Sequence, residues 1–370
     1  MASSAQNLPN IYAATSAPPP TPSSQPNNHH HLTSPAAVDA LSRLLHRLPP
    51  TLSLPTRRSS LSTSLLPVIS DLASGDQLLS ASSQLGFFQL TNNVNVSSDL
   101  ANSAESEARS LFELTSDQKQ SYFPRNWPFG FEEDEDGNGE SFWLDDAACE
   151  SAELSLLSMR ELTRALEKIG LDIIDMLSGA VGFENPLKDD PTRMCSLMVL
   201  HEGVYGDKPT ISGGSYPYVV GLQYVIRSRK YSLLADSGWV SVQPEPESVM
   251  VTLGDIAQVW SNGKVKKVRG RALPCNNIGV EDNNSKCVSM TLLISLPTET
   301  TVSPLLPKLD MEDDEEKEAE ADAEEEISDG SNIVVKKEKR VFNSFSFEDY
   351  AWRVYHEPLL FKDPLDRFRI

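Results

Sequence analysis

Short apolar segments that alternate with turns dominate the chain between residues 195 and 296. Within them apolar and polar side chains tend to alternate with a period of two, which places successive side chains on opposite faces of a strand. Several short strands separated by turns are typical of a sandwich or a jelly-roll barrel. The predicted strands are 195–200, 218–226, 239–242, 249–253, 256–260, 265–272 and 288–296.

The residues before this region have helical periodicity instead. Apolar positions predict helices over 71–85, 99–113 and 152–178, and Thr115, Ser116 and Asp117 open a further helix. Short strands are predicted at 66–69 and 86–90, and 345–355 predict a closing helix. The fold class is therefore mixed α/β, with a jelly-roll core flanked by N-terminal helices and a C-terminal helix.

Composition divides the rest of the chain. Residues 1–62 are rich in Ser, Pro and Asn, which cannot bury enough apolar area to offset the entropy of ordering, so a disordered tail is expected. Two acidic runs, 132–140 and 310–329, carry most of the net charge of −21 and are predicted to be solvated loops. The expected organisation is a tail (1–62), a helical region (63–190), a jelly-roll domain (191–309), an acidic disordered insertion (310–335) and a closing strand and helix (336–370).

The same composition excludes several classes of function. A strongly acidic chain is a poor match for the phosphates of nucleic acid, and no apolar run is long enough to span a membrane. The four cysteines have neither the density of a disulfide framework nor the spacing of a zinc site, which indicates a reducing compartment. We expect a cytoplasmic monomer. The nucleus is an alternative because of basic stretches at 264–271 and 336–340, and the chloroplast because the Ser-rich start resembles a transit peptide.

The order of these segments resembles the plant iron(II)/2-oxoglutarate-dependent dioxygenases of the isopenicillin-N-synthase-like type. Residues 67–72 look like the opening strand of that family, and 85–92 look like its segment containing Gly-Phe-Phe-Gln. Further matching pieces lie at 111–119, 238–242, 254–263, 289–297 and 365–370. Together they extend over most of the chain beyond the tail. The resemblance implies a double-stranded β-helix, a cupin-like form of the jelly roll.

The resemblance also implies a defined set of metal ligands. Members of the family hold iron with two histidines and one carboxylate, leaving positions for 2-oxoglutarate and dioxygen. They supply the first His and the Asp as H-x-D, the second His from the strand after Ser-Asn-Gly, and an Arg from R-x-S that pairs with the far carboxylate of 2-oxoglutarate. Each position can be read from the register of this sequence.

Two of these positions carry residues that cannot do the family's chemistry. The register through Ser261, Asn262 and Gly263 is without gaps and places Gly270 where the second His is expected. Glycine has no side-chain donor. The R-x-S motif reads 287–289: Ser289 is retained, but Cys287 stands in the place of the Arg.

The H-x-D motif has two registers, and neither contains histidine. In one register the His and Asp positions hold Val225 and Arg227, and in the other they hold Tyr205 and Asp207. The first agrees better with a strand at 196–201. The chain has six histidines, of which four lie in the N-terminal 62 residues, so His201 and His356 are the two in the predicted folded part. We predict that His201 lies at a strand end and that His356 caps a helix C-terminus.

These replacements predict a non-catalytic family member that has lost iron and 2-oxoglutarate. Such a protein would act by binding a small apolar ligand or a protein partner, with no cofactor expected. One alternative is an active dioxygenase whose atypical metal site is built around His201, and it would require Fe(II) and 2-oxoglutarate. A second alternative is an interaction scaffold that uses the acidic insertion.

Overall fold

A computed structural model describes residues 62–70, 74–92, 96–133, 139–150, 154–188, 190, 193–203, 215–275, 287–305, 339–356 and 363–370. Most of the strands in these residues form two sheets, one large and one small. The strands are β1 Ser62–Thr63, β2 Val68–Ile69, β3 Phe87–Leu90, β4 Gly130–Glu133, β5 Gly139–Leu144, β6 Cys195–Gly203, β7 Val220–Tyr224, β8 Lys230–Ala235, β9 Gly238–Val242, β10 Val249–Leu253, β11 Val268–Cys275, β12 Cys287–Ser295, β13 Thr301–Val302 and β14 Phe345–Ser346.

The large sheet has the order β2-β3-β10-β7-β12-β6-β5-β4, the small sheet has the order β1-β9-β8-β11, and β13 pairs with β14. Neighbouring strands are antiparallel except for β2 with β3 and β1 with β9. This arrangement confirms the predicted mixed α/β fold with a jelly-roll core. Strands β2 to β5 come from the N-terminal part of the chain and extend the large sheet on both sides, and β1 includes Ser62, which the sequence placed in the tail.

The helices are α1 Gly75–Gln84, α2 Ser98–Phe112, α3 Ser116–Tyr122, α4 Leu157–Val181, α5 Asp255–Trp260 and α6 Phe347–His356. None of the helices in the described ranges is long and apolar enough to cross a membrane. Helix α4 packs on the outer face of the large sheet, and Gly170 lets it approach because a Cβ there would collide with the side chains of Ile294 and Leu222. Its first turn is capped by Glu107 of α2, whose carboxylate accepts hydrogen bonds from the backbone N–H groups of Ser158 and Met159.

The interior between the two sheets is a separate apolar cluster. The contact of Ile294 with α4 shows that the even-numbered positions of β12 face the helices, so its odd-numbered positions face the interior. The large sheet contributes Phe87, Val225 and Met250, and the small sheet contributes Tyr231, Leu233, Ala235, Val240, Val242, Val268 and Ala272. The interior is thus lined mainly by apolar side chains and carries polar groups at only some positions.

Three predictions about local structure were wrong. Residues 256–260 form helix α5, not a strand, because a short run of apolar residues fits either when it is buried on every side. Strand β8 was missed because two charged residues, Arg227 and Arg229, precede it and a third, Lys230, begins it. The first acidic run is partly β-structure: Glu132 on β4 pairs with Arg125 at 3.1 Å, and Glu140 on β5 pairs with buried Lys119 at 2.5 Å. Residues 134–138 and the run at 310–329 lie outside the described ranges.

A buried ion cluster connects the C-terminal residues to the barrel. Lys267 is fully buried, and its Nζ atom lies 2.6 Å from Asp255 Oδ1 and 2.8 Å from Asp363 Oδ1. Burial alone would raise the pKa of Asp363, but the ammonium group of Lys267 and the guanidinium of Arg269 hold it below its ordinary value. The cluster joins three elements: Lys267 precedes β11, Asp255 begins α5, and Asp363 caps the C-terminal 3-10 helix Pro364–Phe368.

The turn after α5 fixes the two ends of the stretch that contains the second acidic run. Leu305 donates its backbone N–H to the carbonyl of Trp260 at 3.0 Å. Asn262 donates from Nδ2 to the carbonyl of Lys339 and accepts from the backbone N–H of Val341 through Oδ1. Asn262 has a φ of 52°, a left-handed conformation that Asn tolerates better than most residues.

The ion cluster gives a first prediction. We expect Lys267→Met to lower the free energy of unfolding by about 3–5 kcal/mol, because two buried carboxylates lose their counter-charge. Urea denaturation measures this change, and Lys266→Met is the matched control because Lys266 is exposed one residue away. Equal effects of the two substitutions would contradict a structural role for the cluster.

Candidate functional site

The position at which the sequence register places the family's second histidine, residue 270, lies at a backbone irregularity in β11. Gly270 has a φ of 66°, in the left-handed region that favours glycine. Between the pairs Arg269 with Leu234 and Leu273 with Ser232, β11 has two more residues than β8, so the strand bulges at Gly270. The position predicted to replace the family's second histidine thus has an irregular backbone conformation.

The hydroxyl of a buried tyrosine forms hydrogen bonds with the backbone carbonyls of this bulge. The hydroxyl oxygen of Tyr218 lies 3.0 Å from the carbonyl oxygen of Val268, 2.9 Å from that of Gly270 and 3.2 Å from Thr252 Oγ1. A phenol has one hydrogen to donate, so the two carbonyls share it and Thr252 can donate to the phenol oxygen. Burial raises the pKa of Tyr218, and the phenol stays neutral. Tyr218 thus stabilises the altered course of β11.

The R-x-S position lies on the interior face of β12. Cys287 is paired with Gly203 and Ser289 with His201 across the β12–β6 ladder. A guanidinium does lie at this position, but it comes from elsewhere in the chain: Nη1 of Arg229, the residue before β8, contacts Cys287 Sγ. Burial raises the pKa of the Cys287 thiol, and the charge of Arg229 opposes this rise without cancelling it.

His201 is not at a strand end, as the sequence suggested, but inside β6. It is buried, with 6% of its surface exposed, and its Nδ1 atom is 3.0 Å from the Oγ atom of Ser141 on β5. Burial and the charge of Arg271 lower the pKa of His201 to about 2, so the imidazole is neutral near pH 7. His356 ends α6 and its Nδ1 atom is 2.8 Å from the carbonyl of Trp352, which agrees with a position at a helix C-terminus.

The two H-x-D registers fall in different places. Val225 and Arg227 follow directly after β7; Val225 belongs to the interior apolar cluster, whereas Arg227 forms hydrogen bonds of 2.8 and 2.7 Å with the carboxylate of Glu105 on α2. Tyr205 and Asp207 lie outside the described residues. The first register therefore brings no metal donor to the interior.

The described residues do not fit an iron ion. In the ranges that the structure covers, no three His, Cys, Asp or Glu side chains come together as a metal would require. Gly270 offers no donor, its carbonyl is engaged by Tyr218, and His201 is engaged by Ser141. A guanidinium, by contrast, is present where a carboxylate of 2-oxoglutarate would be expected from the resemblance.

Comparisons with known proteins agree with this fold. Residues 210–291 match the 2OG-Fe(II) oxygenase superfamily, and residues 64–146 match the N-terminal domain described as non-haem dioxygenase in morphine synthesis. The chain thus contains domains that match this superfamily. The match starts after Tyr205 and Asp207 and includes Gly270, Cys287 and Ser289.

Proteins similar to this chain include gibberellin 2-beta-dioxygenases of plants. The chain is 27% identical to gibberellin 2-beta-dioxygenase 1 of Arabidopsis thaliana over 68% of its own length and 84% of that protein. It is 26% identical to gibberellin 2-beta-dioxygenase 3 of the same plant over 80% of its length and 87% of that protein. In fold it is similar to JOX2, solved in complex with 2OG, Fe and JA, with a TM-score of 0.61, 18% identity and coverage of 89% of this chain and 97% of that one.

Sequence reasoning missed two residues that shape the site. Arg229 lies in a charged stretch that gave no strand signal, and only its parity with Tyr231 could have suggested an interior position. Tyr218 was assigned to a predicted strand as an apolar residue. No local pattern indicates that its hydroxyl reaches carbonyls fifty residues away.

The role of Tyr218 gives the second prediction. We expect Tyr218→Phe to lower the free energy of unfolding by about 1–3 kcal/mol, because buried carbonyls of β11 lose their donor. Urea denaturation measures the change. Tyr224→Phe is the control: within the described residues its hydroxyl has no hydrogen-bond partner, so we expect a change within about 0.5 kcal/mol. A Tyr218 variant as stable as this control would contradict the assigned role.

The environment of His201 gives the third prediction. Unfolded His has a pKa near 6.5 and folded His201 one of about 2, so the unfolded state binds the extra proton below pH 6.5 and stability falls as the pH falls. Between pH 7 and pH 5 we expect this histidine to contribute a loss of about 2 kcal/mol. Urea denaturation of the wild type and of His201→Gln at both pH values measures the loss of unfolding free energy in each. The difference between the two losses is the contribution of His201, because glutamine does not titrate. Equal losses in both proteins would show that His201 is accessible to protons in the folded state.

Proposed function

We propose that this protein is a non-catalytic member of the superfamily, which binds a ligand in the barrel and no longer holds iron. The observation that carries the proposal is the backbone at Gly270. A simple loss of histidine would leave an ordinary strand with a smaller side chain. Here the strand bulges, the φ is positive and Tyr218 bonds the carbonyls. The surrounding structure therefore stabilises a backbone conformation at position 270 that would be strained in any residue with a β-carbon.

The interior retains the character of a binding site for a small molecule. Apolar side chains from both sheets line it, and buried polar groups remain at a few places among them. Ligand sites of this kind are mostly apolar with a few convergent polar groups. The related gibberellin 2-beta-dioxygenases are named for a small organic substrate, and the JOX2 complex contains JA as well as 2OG. These observations favour a small, largely apolar ligand over a protein partner for the barrel itself.

One observation favours an active dioxygenase as a second candidate. The imidazole of His201 is neutral near pH 7, which is the form that ligates a metal. Such a site would need donors from residues outside the described ranges, where Tyr205 and Asp207 lie. The scaffold hypothesis concerns residues 310–335, also outside these ranges, and it stays a prediction.

Metal titration separates the two candidates. We expect no stoichiometric binding when Fe(II) is added anaerobically to the purified chain. Without bound iron, adding 2-oxoglutarate produces no charge-transfer absorption of the chelated complex. The same titration of His201→Ala is the control for a site built around that residue. Stoichiometric iron in the wild type that is lost in His201→Ala would overturn the proposal in favour of the active dioxygenase.

A further inference from the structure

We propose that the indole N–H groups of Trp127 and Trp143 bind a carbonyl oxygen of a neutral, flat organic ligand at the β5 side of the barrel interior. This inference deepens the proposed binding function by naming a ligand class, and it rests on that function for the presence of a ligand in the barrel. Trp143 lies on β5, and Trp127 lies in the segment between α3 and β4.

Strand pairing places Trp143 on the interior face of the large sheet. Trp143 is paired with Val199 of β6, and Val199 is paired with Thr291 of β12. Paired residues of antiparallel strands point to the same side, and the odd-numbered positions of β12 face the interior. Trp143 is 3% exposed, so its indole ring lies on the buried side of β5.

The two tryptophans meet at one buried tyrosine. The ring centroid of Tyr216 lies 5.7 Å from that of Trp127 and 6.4 Å from that of Trp143, and both contacts are edge-to-face. The ring of Phe347, the first residue of α6, packs against Tyr216 in the same way at 5.7 Å. Four aromatic rings therefore form the walls of this end of the interior, and such walls suit a flat apolar group.

The indole N–H groups of both tryptophans lack an acceptor. Nε1 of Trp127 and Nε1 of Trp143 are buried, and neither has a hydrogen-bond partner among the described residues. Buried indole N–H groups usually find an oxygen or nitrogen acceptor, and the aromatic faces around them are weak acceptors at best. Two unpaired donors beside one ring thus indicate an acceptor that a ligand supplies. A carbonyl oxygen can accept from both because it has two lone pairs.

The charges at this site favour a neutral ligand over an organic acid. Arg125 pairs with Glu132 at 3.1 Å and donates at 2.7 Å to the hydroxyl of Tyr355, whose ring contacts that of Trp127. Its positive charge is therefore already balanced. Burial raises the pKa of Tyr216, and the carboxylate of Glu299 raises it further, so the phenol stays neutral in a negative potential that opposes an anion.

The indole pair can be reached from solvent on the side of α6. Trp127 is partly exposed, and Trp352 of α6, which is 54% exposed, packs edge-on against it with 5.7 Å between the ring centroids. A ligand can thus approach the pair by displacing side chains, without separating strands of the large sheet.

Calorimetric titration of the full chain with 1-indanone and with indane tests the inference. The two probes share one flat ring system, and indanone alone has a carbonyl oxygen. We expect indanone to bind at least about tenfold more tightly than indane, because two hydrogen bonds to buried donors favour it.

Substitution by phenylalanine removes the N–H and keeps an aromatic ring. Trp143→Phe should lose part of this preference, and the double variant with Trp127→Phe should bind the two probes with affinities within about twofold. Trp239→Phe is the matched control, because Trp239 lies on β9 of the small sheet and should leave the preference unchanged.

Nitrogen-15 labelling of the tryptophan indoles gives an independent measurement that a purely structural role would not move. We expect indanone to shift the Nε1–H resonances of Trp127 and Trp143 downfield, as a new hydrogen bond does, while the resonance of Trp239 stays in place. The phenylalanine variants assign each resonance by its disappearance.

Three results would overturn the inference while leaving the proposed loss of iron intact: no binding of indanone, equal affinity of the wild type for both probes, or unchanged resonances of Trp127 and Trp143 with indanone bound. Each would show that these donors meet water or protein instead of a ligand. Stoichiometric binding of iron would overturn the proposed loss and leave the assignment of the indole pair standing.

Discussion

A single buried ammonium group joins the parts of the chain that close the barrel. Lys267 lies between Asp255 and Asp363, so the entry to β11, the start of α5 and the C-terminal 3-10 helix meet at one point. A charge without solvent is tolerated only with its counter-charges in place. The position of β11 therefore depends on a segment nearly one hundred residues later. Because β11 carries Gly270, the same cluster fixes the position of the strand in which the family's second histidine would be found.

Two positions in the barrel interior differ from what the family resemblance implies. At Gly270 the backbone differs as well as the side chain, because the strand bulges there and Tyr218 donates to the carbonyls of Val268 and Gly270. At Cys287 a guanidinium is present, but it comes from Arg229, the residue before β8. The fold is common to the proteins that this chain resembles, while individual residues decide the chemistry.

Much of the fold could be predicted from the sequence because period-two alternation and helix caps are local signals. Strand β10 was predicted over its full range, and the cap at Thr115 forms a complete capping box with Gln118. Helix α5 was mistaken for a strand because all its residues are buried and its periodicity is therefore hidden. Position 270 was found by register alone, but its φ and the role of Tyr218 could not be predicted, since both arise from contacts distant in sequence. The same holds for His201, whose burial depends on β5 and β12.

The hydrogen bonds around the turn after α5 have a consequence for how this chain can vary. Trp260 and Asn262 hold residues 305 and 341 close together, so the stretch between them leaves and re-enters the barrel at nearly the same place. The entropy of closing a flexible connection grows only with the logarithm of its length, and each doubling costs about 0.6 kcal/mol. A longer insertion there would therefore change the stability of the barrel little. The pair of anchors thus allows the length of this stretch to change while its two ends stay fixed to the barrel.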